Sequence, residues 1–435
     1  MQIGIIGGGL MGLALARRLS DRGHNVSVYE ADSQLGGLAT HHDYGAFIWD
    51  RFYHVILPTD THLLNFLNEI GLREQVGWST TQTGFFVDEQ FHSLNSSMDF
   101  LRFPPLGLWS KFRLAFTILY CSRVNDWRRL EQIPVDRWLT RLSGRNTFEK
   151  LWKPLLLAKL GIQYQRVSAV FIWTYIKRMF SARDSAAQKE QLGYVSGGYR
   201  SVFETLRQDI VQAGGNVHTE VKVRGITPSA RHGIQLQLKD GIASFDKVVF
   251  TAPTSILSRM VTDSLVSVED RGSAVEYLGV VCVVLVTRQP LMPYYVLNIA
   301  DARIPFTGVI GMTNVVPSTE TAGLFLTYLP KYVMADDPLL KSTDDEIMVQ
   351  FLAGLNLLFP ELDQEQIVSC HVNRAARVQP LQVLGFSQIV QRCETRHPDF
   401  FVLNTAQFVA GTLNNNEVIG AVDHFMAQHG HEFTD

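Results

Sequence analysis

Cysteine is scarce in this chain. Cys121, Cys282, Cys370 and Cys393 are scattered through 435 residues, and no two stand in C-x-x-C spacing. That excludes a disulfide framework, a zinc ribbon and covalent haem attachment, and no metal site is expected. The pattern fits a reducing compartment, so a cytoplasmic location is expected. Long apolar runs are missing too. No stretch approaches the roughly 18 apolar residues that a membrane-crossing helix needs. The first strand-like run starts at Ile3, and no targeting leader is read ahead of it. Nor is there an excess of one charge: 39 basic residues face 42 acidic ones, for a formal net charge of −3. Nothing global therefore draws the chain to nucleic acid. What remains is an apolar chain, 46% hydrophobic and only 19% charged, with a mean hydropathy of +0.04. A large buried core and an apolar binding surface both account for that balance. The length suggests two or three domains.

The informative stretch is the N-terminal one. Ile3 to Ile6 reads as a short buried strand. Gly7, Gly9 and Gly12 follow as G-x-G-x-x-G, and a helical pattern runs from Leu10 to about Arg22. A second strand, Val26 to Tyr29, ends at Glu30. Each part has a physical role at a dinucleotide. Gly7 allows the tight turn, Gly9 lets the backbone approach a pyrophosphate, and Gly12 lets the helix pack close to the sheet. The helix N-terminus offers free N–H groups and a positive dipole end to phosphate. Glu30 stands where a carboxylate accepts from a ribose hydroxyl. Leu35-Gly36-Gly37-Leu38-Ala39-Thr40 then adds a second glycine pair.

This order of glycines, acid and L-G-G resembles the N-terminal signature of FAD-containing oxidoreductases of the amine oxidase, protoporphyrinogen oxidase and phytoene desaturase superfamily. The resemblance implies FAD rather than a nicotinamide, held non-covalently, with Gly36 and Gly37 along the pyrophosphate and ribityl chain. Three later segments extend it. Gly193-Tyr194-Val195-Ser196-Gly197-Gly198 is similar to the family's G-Y-x-x-G-G junction. Gly214-Gly215, with Val223 eight residues on, is similar to the strand whose valine backbone meets adenine. Phe408-Val409-Ala410-Gly411 and Val418-Ile419-Gly420-Ala421 resemble the C-terminal FAD motif. There the last helix aims its N-terminus at the flavin, and the Val418 N–H is the matching donor. Such a helix end stabilises negative charge on reduced flavin. By resemblance the FAD wall comprises Gly7, Gly9, Leu10, Met11 and Gly12, then Glu30 and Ala31, then Gly36, Gly37, Leu38 and Ala39. Val223, Ala252, Gly411, Asn416 and Val418 complete it from afar. Asn414, Asn415 and Asn416 either bond a flavin or substrate carbonyl or serve a turn and N-cap, as asparagine commonly does.

Asp50-Arg51-Phe52-Tyr53-His54 occupies the segment that lies near the isoalloxazine in the family, with Phe52 where glycine is usual. His54 is the first candidate catalytic residue and Tyr194 the second. His54 reads either as a proton relay or as a histidine satisfied within an aromatic cluster. Leu278 to Val286 reads as a buried strand by length and β-branching. Many amine oxidases carry a lysine there. None is present here, which counts against amine oxidation and leaves protoporphyrinogen oxidases and desaturases.

Other expectations are local. Asp60 is predicted to N-cap a helix that Gly71 closes. Short strands are expected over 73–97, a strand from Asn216 through Val223, and a β-meander over 232–252. Further strands are expected at Thr307–Met312 and Gly323–Leu329, a loop over 181–191, and a helix over Asp344–Leu358. Pro154, within Trp152-Lys153-Pro154-Leu155-Leu156, is predicted to interrupt a helix. Lys153 and Lys159 either meet an anionic substrate group or remain surface charges. Residues 98–180 read as helical. Within 100–129, apolar residues mix with Arg102, Lys111, Arg113, Arg123, Arg128 and Arg129, near Trp109 and Trp127. That stretch is either an interfacial helix touching a membrane peripherally or a helical cap on its own domain.

The expected fold is α/β: a Rossmann-like FAD-binding domain of the GR2 flavoprotein type with an inserted mixed α+β substrate domain. Residues 1–75, 190–252 and 386–435 build the first, and 76–189 and 253–385 the second. The implied reaction is two-electron oxidation or desaturation of an apolar cyclic or polyprenyl-like small molecule. One alternative is a redox-neutral flavoenzyme resembling UDP-galactopyranose mutase. That would need an arginine pair for a diphosphate, and Arg51, Arg178 and Arg200 are the scattered candidates. The other is a non-catalytic relative of the Rab escort proteins, which the largely intact flavin motifs disfavour.

Overall fold

Ile3, Ile5, Val26, Val28, Val248 and Val249 have no exposed surface. Strands this apolar need cover on both faces, the usual condition of a parallel sheet. The computed structural model, which describes residues 1–181, 190–229, 233–267 and 275–434, places them in one. Its order is Phe400–Val402, Lys247–Phe250, Gln2–Ile6, Asn25–Tyr29 and Asn216–His218, all parallel. Successive residues point to opposite faces. Ile3, Ile5, Val249 and Phe401 meet the helices Leu10–Ser20, Tyr199–Gln212 and Asn415–His429. Ile6, Val248, Phe250 and Phe400 meet an antiparallel ribbon of Gly225–Pro228, Ile234–Leu238 and Gly241–Phe245. The expected meander is therefore this ribbon, and its last strand feeds the parallel sheet.

A second, seven-stranded sheet runs Ile367–Pro380, Tyr277–Thr287, Phe325–Met334, Gly308–Gly311, Val296–Ile299, Thr83–Val87 and Gln90–Ser93. Every residue of Tyr277–Thr287 is buried. Val280, Cys282, Val284 and Val286 face a cluster with Tyr44, Trp49 and Tyr328. Val281, Val283 and Leu285 face the helix Asp344–Leu358 through Ile347, Phe351 and Leu355. Two cores thus share one strand, which explains an uninterrupted apolar run. The helices between Ser97 and Ser181 enclose a third core around Trp138, Trp152 and Trp173. Among the described residues no helix is long and apolar enough to cross a membrane.

Three local expectations change. The strand from Asn216 ends at His218, and Glu220 takes a positive φ of 60°, so Val223 lies in a non-regular segment beside the sheet, buried against Tyr29 and Ile6. Pro154 does not break its helix. A π turn at Phe148–Trp152 precedes it, and Lys153–Leu160 continues with Pro154 in the first turn, where a missing N–H is harmless. Asp60 holds the N-cap position of Thr61–Glu69, but its side chain turns back to accept from the Leu57 N–H at 2.9 Å. The expected loop at 181–191 lies mostly outside the described residues, and its end, Gln191, begins a strand through Val195.

Asp60 also receives both terminal nitrogens of Arg178, at 2.9 and 3.0 Å, from the end of the helix Ala169–Ser181. This fork ties the helical segment to the parallel-sheet layer. Asp60 is almost wholly buried. Asp60→Ala removes one side of a desolvated pair, and unfolding in urea is expected to show a loss of about 3 kcal/mol. Asp60→Asn, which keeps the Leu57 contact, is expected to lose less.

Candidate cofactor and substrate site

Three glycines in the first turn serve three different needs. Gly7 sits at φ 113°, beyond the ordinary range of a side-chain-bearing residue. A Cβ on Gly12 would fall 2.0 Å from the Gly7 carbonyl, so this position is fixed by packing. Gly9 has neither excuse. Its φ is −75°, and the nearest atoms to an added Cβ are the Gly36 oxygen and the Gly37 Cα, both at 3.9 Å. Nothing within the protein forbids a side chain there. The space over Gly9 is bounded by the second glycine pair, because Gly9 and Gly36 form a parallel bridge and the Gly36 N–H donates to Gly8 O at 2.8 Å. Gly36 at φ 123° keeps its bare face against Phe203. Above this cradle stand Leu10, Met11 and Gly12. Their N–H groups have no intrahelical acceptor, and Gly9, as N-cap, offers no side chain to satisfy them.

The acidic wall is rigid. Glu30 accepts from the Gly8 N–H at 2.8 Å and the Asp32 N–H at 2.9 Å, one oxygen each, with Ala31 exposed between them. Each oxygen retains a lone pair for a ribose hydroxyl. Leu38 and the buried Ala39 form the turn that follows Gly37, and Thr40 closes it by donating to Gly37 O at 3.2 Å. Ala252 lies just past the strand Lys247–Phe250, its carbonyl held by Asn404 Nδ2 at 3.2 Å.

At the C-terminal motif the donor shifts. Val418 is the fourth residue of Asn415–His429, and its N–H already donates to Asn414 O at 3.2 Å, while its side chain joins the core. The helix end left for a ligand is that of Asn415 and Asn416, one turn earlier than the resemblance implied. The asparagines divide their work. Asn414 caps its own helix through the Glu417 N–H at 3.0 Å. Asn416 Oδ1 accepts from the Leu63 N–H at 3.1 Å and so caps Thr61–Glu69 in place of Asp60. Gly411 faces Glu417, and Gln382 holds its turn by donating to Phe408 O at 2.9 Å and Val409 O at 3.0 Å. Sequence reasoning missed Gln382, whose only signal is three-dimensional.

Asp50 is the second residue it missed in this role. Its carboxylate is 2% exposed and accepts from the Tyr199 N–H at 2.9 Å, capping Tyr199–Gln212 across the bare face of Gly198. His54 Nδ1 lies 3.6 Å from the other Asp50 oxygen, too far for a hydrogen bond, and the ring meets the edge of Tyr199. Tyr194 lies on the strand Gln191–Val195, its ring over Gly77 and 6.5 Å from that of Trp49. The Ile56–Gly193 bridge brings the two segments side by side, but no hydrogen bond joins His54 to Tyr194 among the described residues. Burial raises the Tyr194 phenol, and Glu320 adds to it. Lys153 pairs with Glu149 on the surface at 2.7 Å.

Gln34 Oε1, Arg51 Nε and His54 Nδ1 are buried without a hydrogen-bond partner among the described residues. Each such group costs about 1–3 kcal/mol. Together with the open face of Gly9 they fit a polar ligand that runs from Gly9 towards His54. Gly9→Ala tests this fit. The apo protein is expected to keep its stability within about 0.5 kcal/mol, while FAD affinity, measured by equilibrium titration, falls about tenfold or more because the methyl enters the ligand's space. Gly12→Ala is expected to destabilise the apo protein itself.

Comparison with known proteins agrees with this geometry. Residues 10–377 match the family model described as flavin containing amine oxidoreductase. The zeta-carotene desaturase of Synechocystis sp. is 23% identical over 410 residues, covering 83% of each chain. A protein from Exiguobacterium sp., provisionally assigned as a protoporphyrinogen oxidase, superposes with a TM-score of 0.79 at 17% identity over 99% of each chain. Reduced UDP-galactopyranose mutase superposes with a TM-score of 0.70 at 16% identity, over 98% of this chain and 96% of that one. At those identities the two structures speak for the fold alone. The match over residues 10–377 shows that this chain belongs to the flavin containing amine oxidoreductases and is an FAD-dependent oxidoreductase.

Proposed function

We propose that the protein oxidises or desaturates an apolar cyclic or polyprenyl-like molecule, in the manner of a protoporphyrinogen oxidase or carotene desaturase, rather than an amine. One observation carries this reading. The buried strand Tyr277–Thr287 holds no lysine, and its Val280, Cys282, Val284 and Val286 pack behind the partly buried Phe52, Tyr53, Tyr194 and Tyr332. An aromatic lining over an apolar core favours a flat, apolar ligand. FAD, when bound, supplies the two-electron chemistry. The chain supplies the rest. Its first helix would hold the pyrophosphate, Glu30 the ribose, and the Asn415–His429 N-terminus the flavin. His54, with the Asp50 carboxylate behind it, takes up the proton that leaves the substrate. The mutase-like alternative lacks comparable support: Arg178 is committed to Asp60 and Arg200 to Glu204 at 2.7 Å.

The test is flavin bleaching. The purified protein is expected to be yellow and, without oxygen, to be bleached by a porphyrinogen or a carotenoid precursor and not by putrescine. A preparation that stays colourless with added FAD, or one bleached by the amine alone, would sink the reading. Activity that appears only after dithionite would favour the mutase-like alternative.

A second observation favours contact with a bilayer. On the helix Leu108–Arg123, Leu108, Trp109, Phe112 and Phe116 are 77, 71, 64 and 53% exposed. Their spacing sets them along one side, with Trp109 stacked on Phe112 and Phe116 on Tyr120. Arg102, Arg123, Arg128 and Arg129 lie in the same segment, against Asp99 and Asp126. An apolar helix face with basic neighbours lies in an anionic membrane surface. Lys111 is not part of that basic set, being buried with its ammonium on Leu101 O at 2.6 Å. Wild-type protein is expected to sediment with phosphatidylglycerol vesicles, and the Trp109→Glu, Phe112→Glu double variant to lose about tenfold or more in partitioning. Equal sedimentation of the two would retire the membrane reading.

A further inference from the structure

Among the described residues Lys159 is a cation without an anion. It belongs to the helix Lys153–Leu160, and its ammonium lies 3.2 Å from the centroid of the Tyr332 ring and 6.0 Å from that of Tyr175. Neither ring carries charge, because burial holds both phenols above their usual range. Their hydroxyls are also engaged elsewhere. Tyr332 shares a hydrogen bond of 2.7 Å with the Tyr53 hydroxyl, and Tyr175 donates to Gln379 Oε1 at 3.2 Å. Other lysines have oxygen partners: Lys153 has Glu149, Lys247 has Asp399, Lys111 has Leu101 O and Lys177 has Asn125. Lys159 alone among these makes only ring contacts among the described residues. Burial pushes its ammonium down to about 7, with no neighbouring charge to oppose the shift.

Its surroundings locate it. Lys159, Tyr53, Tyr175 and Tyr332 are half-buried, and each keeps part of its surface accessible. Tyr53 adjoins the Arg51–His54 segment, and Gln379 lines a small cavity with Gln382 and Gly411 at the C-terminal motif. Through Tyr332–Tyr53 and Tyr175–Gln379, Lys159 is thus set beside the Arg51–His54 segment and the C-terminal motif.

We propose that Lys159, seated on Tyr332, is an anion-selective subsite that receives a single carboxylate at one end of the substrate and turns away amines. The inference rests on the reading of an apolar substrate and adds a head group to it. A carboxylate matches one ammonium in charge, whereas a phosphate dianion would want a second cation. An ammonium ligand would meet a like charge at the one aromatic face suited to it, which Lys159 already occupies. The apolar remainder of the ligand lies along the partly buried Phe52, Tyr53 and Tyr194, and its carboxylate takes the hydrogen bonds that Lys159 makes to no protein group among the described residues.

Octanoate, 1-octanol and octylamine share one chain length and differ in head group. Binding of each to the FAD-loaded, full-length protein is read from the visible flavin spectrum and from tryptophan fluorescence. Octanoate is expected to bind about tenfold to a hundredfold tighter than octanol, and octylamine more weakly than either. Lys159→Met is expected to bring octanoate down to the level of octanol without moving octanol, while Lys159→Arg keeps the preference. In the wild type the preference shrinks between about pH 6 and pH 9 as the ammonium loses its proton. The phenols of Tyr53, Tyr175 and Tyr332 stay neutral over that range, so they add no competing titration. Octanoate that binds no tighter than octanol, or not at all, overturns the proposal, as does an unchanged preference in Lys159→Met. Should that variant misfold, a flat wild-type pH profile has the same force. A chain that prefers octanoate but is bleached by no apolar substrate sinks the oxidation reading and leaves the subsite standing.

Discussion

The buried carboxylate of Asp50 is where the two sheets and the cofactor layer are held to one another. One oxygen caps the helix Tyr199–Gln212, which packs on the parallel sheet. The carbonyl of the same residue accepts from the Tyr328 hydroxyl at 2.6 Å and the Tyr44 hydroxyl at 3.2 Å, and Tyr328 belongs to the seven-stranded sheet. A carboxylate this deeply buried needs a hydrogen-bond partner, and the Tyr199 N–H supplies one to one of its oxygens. The carbonyl's partner Tyr328 lies 278 residues away. The bonds to one carboxylate oxygen and one carbonyl therefore tie together three pieces that share no strand. Arg51 to His54 follow directly, so the polar edge of the site is aimed by the same constraint.

The contrast between what the sequence discloses and what it conceals follows from range. The strand and helix from Gln2 to Ser20, the acid at Glu30 and the helix Asp344–Leu358 were legible because each depends on neighbours within a few residues. The strand Tyr277–Thr287 was legible for another reason. A run covered on both faces must be apolar throughout, whatever its partners are. The Asp50 cap was hidden because its partner is Tyr199, and the Asn416 cap because its partner is Leu63. Asparagine chemistry announces a cap, but not which helix it closes. The Val418 donor was misplaced by one turn because motif spacing locates a helix start only to within its first few residues. Lys153 and Lys159 look alike in sequence, and only the fold separates a surface ion pair from a cation seated on a tyrosine ring.

The high mean hydropathy admitted a buried core and an apolar surface, and the molecule has both. Three cores meet around the seven-stranded sheet and the helical segment. The stripe on Leu108–Arg123 remains outside all of them for much of its width. Composition sums these contributions and cannot divide them. Spacing can: residues three and four apart form the stripe, while residues two apart sort themselves between the cores of the sheet.

The π turn at Phe148–Trp152 sets the phase of everything that follows it. A π turn holds one residue more than an α turn, and each α-helical residue advances the side-chain direction by about 100°. The helix Lys153–Leu160 is thus rotated by that angle relative to an unbroken continuation of Arg145–Thr147. The lysine beneath Tyr332 owes its inward aim to this offset, since the same letters wound as a regular helix would turn it towards a different neighbour. Chain length in that one turn therefore decides which of two similar lysines lies over a tyrosine ring and which pairs with a surface glutamate.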